Sequence, residues 1–359
     1  MDFKFSMHFI KRLYIFFLIQ SLIIFFFSTA QVQAKSFEIV NIEISRPFEN
    51  NFDKNKVIDS GFKKAFIELI YSLVKSSDFK KIEPIKLIEI KSMIETFSIQ
   101  EEKFVDQIYY VNLGVSFNKK KILKFLNKKN IFPSQIVRET FLFIPIIIDE
   151  SINDLTIFSN NPIYNNWNSK TEKYELINYL LPAEDLEDFN LIKGKIDIIE
   201  TYDFREITKK YFLKNSIISL IFKNKNEIRV LSKIYSGKKE VIKNNSFKSL
   251  DFNNEKSLNF MIDSLKNSFE DTWKKINEIN TSIKLPIIIK IRNDDLKKSN
   301  NFELVLNDIE LVNDYFVQKF DKEFIFYEVL FNGTVQSFIN IMKTKNYKIN
   351  TQKKIWILE

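Results

Sequence analysis

The sequence predicts an α+β protein of small sheets covered by helices on one face, in three consecutive subdomains. Two patterns carry that prediction. Stretches with an apolar period of two alternate with stretches whose period is near 3.6. A strand–helix unit, "IYYVNLGVSFNKKKILKFLNKKNI" (Ile108 to Ile131), is echoed near the end as "FIFYEVLFNGTVQSFINIMKTKNY" (Phe324 to Tyr347). With 359 residues, 45% of them hydrophobic, the chain can fill one large core or two to three small ones.

Taken in order, "FEIVNIEIS" (Phe37 to Ser45) alternates as a half-buried strand does. From Lys56, Val57, Ile58, Gly61, Phe62, Ala65, Phe66, Leu69, Ile70, Leu73 and Val74 recur at helical spacing, which predicts a long amphipathic helix lying on a sheet. Pro84 closes the following loop, and a second helix is expected over Leu87 to Phe97. Tyr109, Val111, Leu113, Val115 and Phe117 then share one face of a strand. Lys119 to Lys129 switches to helix period, with Ile122, Phe125 and Leu126 on one side, and Thr140 to Asp149 returns to strand.

These elements form an expected N-terminal α+β subdomain, 36–150. The Asn-rich stretch 151–170 reads as a linker. A middle α/β subdomain, 171–281, holds a short strand before Pro182, a helix opened by acidic residues and a helical stretch Asp203 to Phe212. Paired strands Asn215 to Phe222 and Glu227 to Tyr235 follow, then a long helix Ser257 to Ile276. In the C-terminal α+β subdomain, 282–359, "IKLPIIIKIR" is a strand, Leu304, Ile309, Val312 and Phe316 suggest a helix, and the echoed unit follows. In an ungapped overlay Tyr327, Val329 and Phe331 fall on Val111, Leu113 and Val115, and Phe338, Ile339, Ile341 and Met342 on Ile122, Leu123, Phe125 and Leu126. Only the Lys-Asn pair is identical (Lys129–Asn130, Lys345–Asn346).

The N-terminus has the parts of a secretory signal peptide, 1–34. Lys11 and Arg12 precede the apolar run Leu13 to Phe27, and Val32 and Ala34 take the −3 and −1 positions of a cut between Ala34 and Lys35. The run is shorter than the roughly 20 residues of a membrane-spanning helix. The expectation is export to the periplasm; the alternative is retention in the inner membrane by the uncleaved segment. The one histidine, His8, lies before this run, and the chain has no cysteine. A chain starting at Lys35 therefore has no thiol nucleophile, no disulfide, no ordinary zinc site and no histidine base for a serine hydrolase. Carboxylate chemistry, Ser–Lys pairs or oxygen ligation of a hard cation remain; no cofactor is expected. The formal charge of +8 is spread among 46 acidic residues, which suits weak contact with an anionic membrane surface and not nucleic-acid binding.

The order of "FEIVNIEISRP", "IETFSIQEEK", "YYVNLGVSFNKKKILKFLNKKNI", "NPIYNNWN" and "LLPAEDLEDFNLI" behind a signal peptide resembles the bacterial exported family catalogued as domain of unknown function 2066. The middle region is also similar to N-terminal domains of periplasmic accessory proteins. The resemblance implies an exported cell-envelope protein without established activity.

Candidate contact residues follow from local chemistry. Glu184, Asp185, Glu187 and Asp188 suit a cation or basic partner, and equally suit a helix start. Asp294 and Asp295 read as a catalytic pair or a helix cap. Lys119, Lys120, Lys121 and Lys124 suit an anionic surface or a plain solvated face. Trp167 and Tyr164 suit a contact anchor or packing against a domain surface. The expectation is a non-enzymatic binding or scaffold module with an envelope protein partner, contacted through Trp167, Asp185, Asp188, Lys120 and Lys124. The alternatives are a carboxylate-based hydrolase of an envelope polymer and a membrane-anchored accessory protein.

Overall fold

The computed structural model describes residues 37–169, 172, 174–224, 227–248, 250–279, 284–294, 296–309 and 311–359. The signal peptide and its cut at Ala34 and Lys35 lie outside the described residues, as does Asp295. The class is α+β, with three separate sheets. Ile39–Glu359 forms one compact unit.

The N-terminal part runs β1 (Glu38–Pro47), α1 (Lys54–Leu73), a 3-10 turn (Ser76–Lys81), α2 (Leu87–Met93), β2 (Ile94–Val105), β3 (Ile108–Phe117) and α3 (Lys119–Lys128). Asp53 starts α1 by accepting the Asn55 N–H at 2.9 Å. The predicted stripe of α1 is buried, from Val57 to Leu73. It approaches β3 so closely that a Cβ at Gly61 would run into Leu113 Cδ1, so glycine stands where the two elements touch. Tyr109, Val111, Leu113, Val115 and Phe117 are all buried, as the period-two reading expects. The helix expected to Phe97 stops at Met93, and β2 begins at Ile94. All of β2 after Ile94 is exposed, so no burial alternation marks it.

The strand Glu139–Asp149 (β4), expected to close the N-terminal subdomain, instead belongs to the middle sheet. There it pairs with β5 (Asp154–Thr156), β6 (Ile177–Leu180) and β7 (Asn215–Lys223). The sheet continues through β8 (Glu227–Ser236) to β9 (Lys239–Lys248), a strand not anticipated from sequence. The near-continuous apolar run of β4 has a physical reason: both of its faces are covered. Phe141 and Phe143 meet Met261, Leu265, Phe269 and Trp273 of α7 (Glu255–Ile276). Leu142, Ile144, Ile146 and Ile148 meet Ile192 of α5 (Leu186–Lys193) and Ile207 of α6 (Arg205–Thr208). The middle sheet therefore carries helices on both faces.

The stretch 151–170 is not a simple linker. It contributes β5, a 3-10 turn at Phe158–Asn160 and α4 (Pro162–Asn166). Fully buried Asn161 binds it to the sheet. Its Nδ2 donates to Pro145 O at 3.1 Å, and its Oδ1 accepts the N–H of Ile163 at 2.9 Å and of Tyr164 at 3.2 Å. Pro145 lies between the stretches of β4 that pair with β6 and with β5, where its missing N–H costs no ladder bond.

The C-terminal part runs β10 (Leu285–Arg292), α8 (Leu296–Asp308), β11 (Val312–Phe320), β12 (Phe324–Phe331), α9 (Val335–Thr344), β13 (Ile349–Asn350) and β14 (Trp356–Leu358). Val312 and Phe316, read as helix, lie on β11. The echo of the two ends extends to their whole topology. Strand order is β1-β3-β2 in one and β10-β12-β11 in the other, each from a β-α-β-β-α chain order to which the N-terminal part adds α2 before its hairpin; β14 and β13 extend the second sheet beyond β10. Each hairpin has two register shifts with the same spacing. They fall between Ile94 and Thr96 and between Ile99 and Glu101 in β2, and between Val312 and Asp314 and between Val317 and Lys319 in β11. Since Ile94 pairs with Phe117 and Val312 with Phe331, Tyr327, Val329 and Phe331 correspond to Leu113, Val115 and Phe117. The ungapped overlay is right for the helices and two residues off for the strands; Asn332 and Gly333, between β12 and the Thr334 cap of α9, account for the difference. The one identical pair is explained as well. Asn130 and Asn346 both take positive φ (54° and 63°) after their helices. There Ile131 N–H returns to Leu126 O at 3.0 Å and Tyr347 N–H to Met342 O at 2.9 Å.

Candidate functional site

The expected contact residues do not form one site. Trp167 is a correction: it is fully buried and stacks on Phe143 with ring centroids 3.9 Å apart. Asp188 is another, since it is buried and holds Lys210 Nζ at 2.6 Å. Asp185 is the cap of α5, accepting the Glu187 N–H at 2.8 Å, and these bonds hold its carboxyl below the ordinary value. Glu184 accepts the Ser159 N–H at 3.1 Å, and Tyr164 donates its hydroxyl to Pro182 O at 2.7 Å. The acidic stretch thus serves the fold. Lys120 is exposed but turned to Asp314 of β11 at 2.9 Å, and Lys119 donates to Ile309 O at 2.7 Å, so these lysines join the two end parts. Lys124 is exposed on the outer side of α3. Asp294 is exposed, with Arg292 at 3.8 Å.

A different group of residues converges. The polar side of α7 carries Asp263, Lys266, Asn267, Glu270, Asp271 and Lys274 at helical spacing, opposite the apolar stripe that covers the middle sheet. This side faces the C-terminal end of α1, the Ser76–Lys81 turn and residues 172 and 174–175, leaving a cleft of about 530 Å³. Asp271 fastens the turn by accepting the Ser76 N–H at 2.7 Å and its hydroxyl at 2.5 Å. Tyr71 stacks obliquely on Phe79 and on Tyr174, with centroids 4.5 and 4.7 Å apart, and forms an aromatic wall.

Glu270 is buried at the base of the cleft. Its Oε1 accepts the backbone N–H of Leu176 at 2.9 Å and of Ile177 at 2.8 Å, fixing the start of β6. Its Oε2 has no hydrogen-bond partner. Glu175 has Lys266 Nζ 3.6 Å from Oε1, while its Oε2 is also buried without a partner. Burial pushes both carboxyls above the ordinary value, against the pull of Lys274 and the backbone bonds on Glu270 and of Lys266 on Glu175. Burial pushes the buried Lys274 ammonium down, against the carboxylates of Glu270 and Asp271. Tyr174 at the mouth is pushed up to about 12 by burial, with nearby carboxylates adding to it.

Sequence reasoning passed over this cleft. Its signal was the charged stripe of the long helix, which looks like an ordinary solvated face until another subdomain covers it. Among the described residues no group of three or more Asp, Glu, His or Cys side chains is placed to hold a metal ion. No helix among them is long and apolar enough to cross a membrane. No family model matches the chain, and no curated protein matches it in sequence.

Proposed function

We propose that this chain is an exported cell-envelope protein that acts as a non-enzymatic binding or scaffold module, engaging a protein partner along the free edges of its two equivalent end sheets. One observation carries the reading. The corresponding edge strands β2 and β11 both present exposed apolar side chains: Phe97, Ile99 and Phe104 on one, Phe316, Val317 and Phe320 on the other. An open edge offers a row of backbone donors and acceptors to an added strand, and alternating side chains give that strand its specificity. The register shifts and the charges of Glu101, Glu102 and Lys103 limit indiscriminate pairing on β2. Export rests on the signal-like N-terminus, and membership of the exported family named above is part of the same proposal. A photo-crosslinking residue placed at Phe104 or Phe320 is expected to give a discrete adduct in cells, lost when proline is introduced at Glu102 or Val317, edge positions whose N–H groups point away from β3 and β12. Adducts that are unchanged by proline, or no adduct at either position, would overturn the reading.

The carboxylate hydrolase is the second reading, and the Glu175–Glu270 cleft is where its two carboxyls would have to work. A working acid–base pair has its two carboxyls pushed apart in pKa. Here burial pushes both the same way, and one oxygen of Glu270 is spent on holding β6. The cleft therefore supports binding better than hydrolysis.

A further inference from the structure

We propose that the cleft between the Ser76–Lys81 turn and α7 binds an organic cation, a primary ammonium or guanidinium group on an apolar stem. Glu270 is the anchor. It is more than nine-tenths buried, at 6% exposed, and it lines the cleft. Its Oε1 is occupied by two backbone N–H groups and its Oε2 by none. Glu175, which lines the same cleft, holds a second buried oxygen without a partner. Unfilled acceptors on two ionisable carboxyls match a group that offers several N–H donors together with positive charge.

The surroundings narrow the ligand. Among the described residues, five carboxyl residues line the cleft (Glu172, Glu175, Asp263, Glu270 and Asp271) against the two ammoniums of Lys266 and Lys274, a lining that favours a cation over an anion. A bare metal ion does not fit, since no three carboxylates among the described residues converge. The wall of Tyr71, Phe79 and Tyr174 suits an aliphatic stem and attracts an ammonium through the ring faces. The volume of about 530 Å³ accommodates a molecule of many heavy atoms.

The test is isothermal titration of the chain with putrescine, with spermidine and with a lysine blocked at both backbone ends. The expected result is saturable binding to a single site, weakened about tenfold or more in Glu270→Gln, as for loss of a charged hydrogen-bond partner. That variant keeps an acceptor for Leu176 and Ile177. If circular dichroism shows it unfolded, Glu175→Gln takes its place. A preference for putrescine or spermidine identifies a free amine as the ligand, and a preference for the blocked lysine identifies a protein side chain; either upholds the site. No saturable heat with any of the three, or equal affinity in the folded glutamine variant, overturns it.

Discussion

Replacing Trp167 separates a core residue from a surface anchor. The ring is fully buried, stacks on Phe143, meets Tyr179 edge-on at 5.3 Å and lies 6.0 Å from Phe269. Truncating such a residue to alanine costs about 3–5 kcal/mol through lost transfer energy and the cavity left behind. The indole N–H of Trp167 has no partner, and an unsatisfied buried donor costs about 1–3 kcal/mol that the truncation gives back. Trp167→Ala is therefore expected to cost about 2 kcal/mol, the difference between the centres of the two ranges. Trp167→Phe keeps an aromatic ring against Phe143 and removes the unpaired donor, so its cost should stay below about 1.5 kcal/mol. Urea unfolding followed by the fluorescence of Trp273, in a Trp356→Phe background, measures both, because Trp273 sits in the same core with its N–H on Val137 O at 2.7 Å. A Trp167→Ala cost under about 1 kcal/mol, or equal costs for the two variants, would refute the packing argument.

Two further outcomes follow from the cleft and from the repeated ends. Glu175 and Glu270 have raised pKa values in the folded chain, so their contribution is fully present below the unfolded value of 4.5 and is lost as pH rises through the folded values. The buried Lys274 is lowered, so its contribution is present above 10.5 and is lost as pH falls through its folded value. The charged and titratable neighbours of Glu270 are Lys266, Lys274, Glu175, Asp271 and Tyr179, and Glu270→Gln removes one titration from this set. Its melting temperature relative to the parent should rise as pH climbs from 4.5 into the neutral range; a difference constant across that range would contradict the burial of this carboxyl. At the helix ends, Asn130→Val and Asn346→Val should each lower stability by about 1–2 kcal/mol, because a branched side chain resists positive φ, while glycine at either position is tolerated. Thermal melts of the four variants decide it, and valine behaving like glycine would refute it.

The elements legible in the sequence were those with one face in a core. The stripe of α1, the alternation of β3 and the apolar face of α7 all announce a buried side. β2 was not legible because a strand exposed along its length has no burial period to read, and β9 because half of its inward positions, Lys243 and Asn245, are polar and hide the alternation. β11 was misread for the same reason: its exposed Phe316 fell in helical phase with Val312 by composition, not by packing. The position of β4 was hidden differently. Its run "FLFIPIII" declares burial on both faces, but which sheet it joins depends on strands separated from it in sequence. The cleft was hidden because a charged helix face carries no sign that another subdomain will cover it. Burial of Glu270 and Lys274 is a tertiary event, and the raised and lowered pKa values follow from it.

The repeat of the two ends shows how far a weak sequence echo can be trusted. A slide of two residues along a strand preserves which side chains point inward, so the ungapped overlay gave the right faces with the wrong partners. The register shifts remove that ambiguity, because an extra residue on one strand is a local event that cannot slide without moving the ladder around it. Matching shifts in β2 and β11, the same strand order and the same asparagine turn after α3 and α9 are independent constraints. Together they argue for one β-α-β-β-α architecture used twice, with α2 added in the first copy and the middle sheet between them in sequence. The two copies are not closed in the same way. Among the described residues the N-terminal sheet ends at β1 on that side, whereas β14 and β13 extend the C-terminal sheet past β10, leaving β2 and β11 as the corresponding edges with no strand beyond them. The β2 and β11 edges are thus equivalent in the two copies, which is why the crosslinking experiment is aimed there.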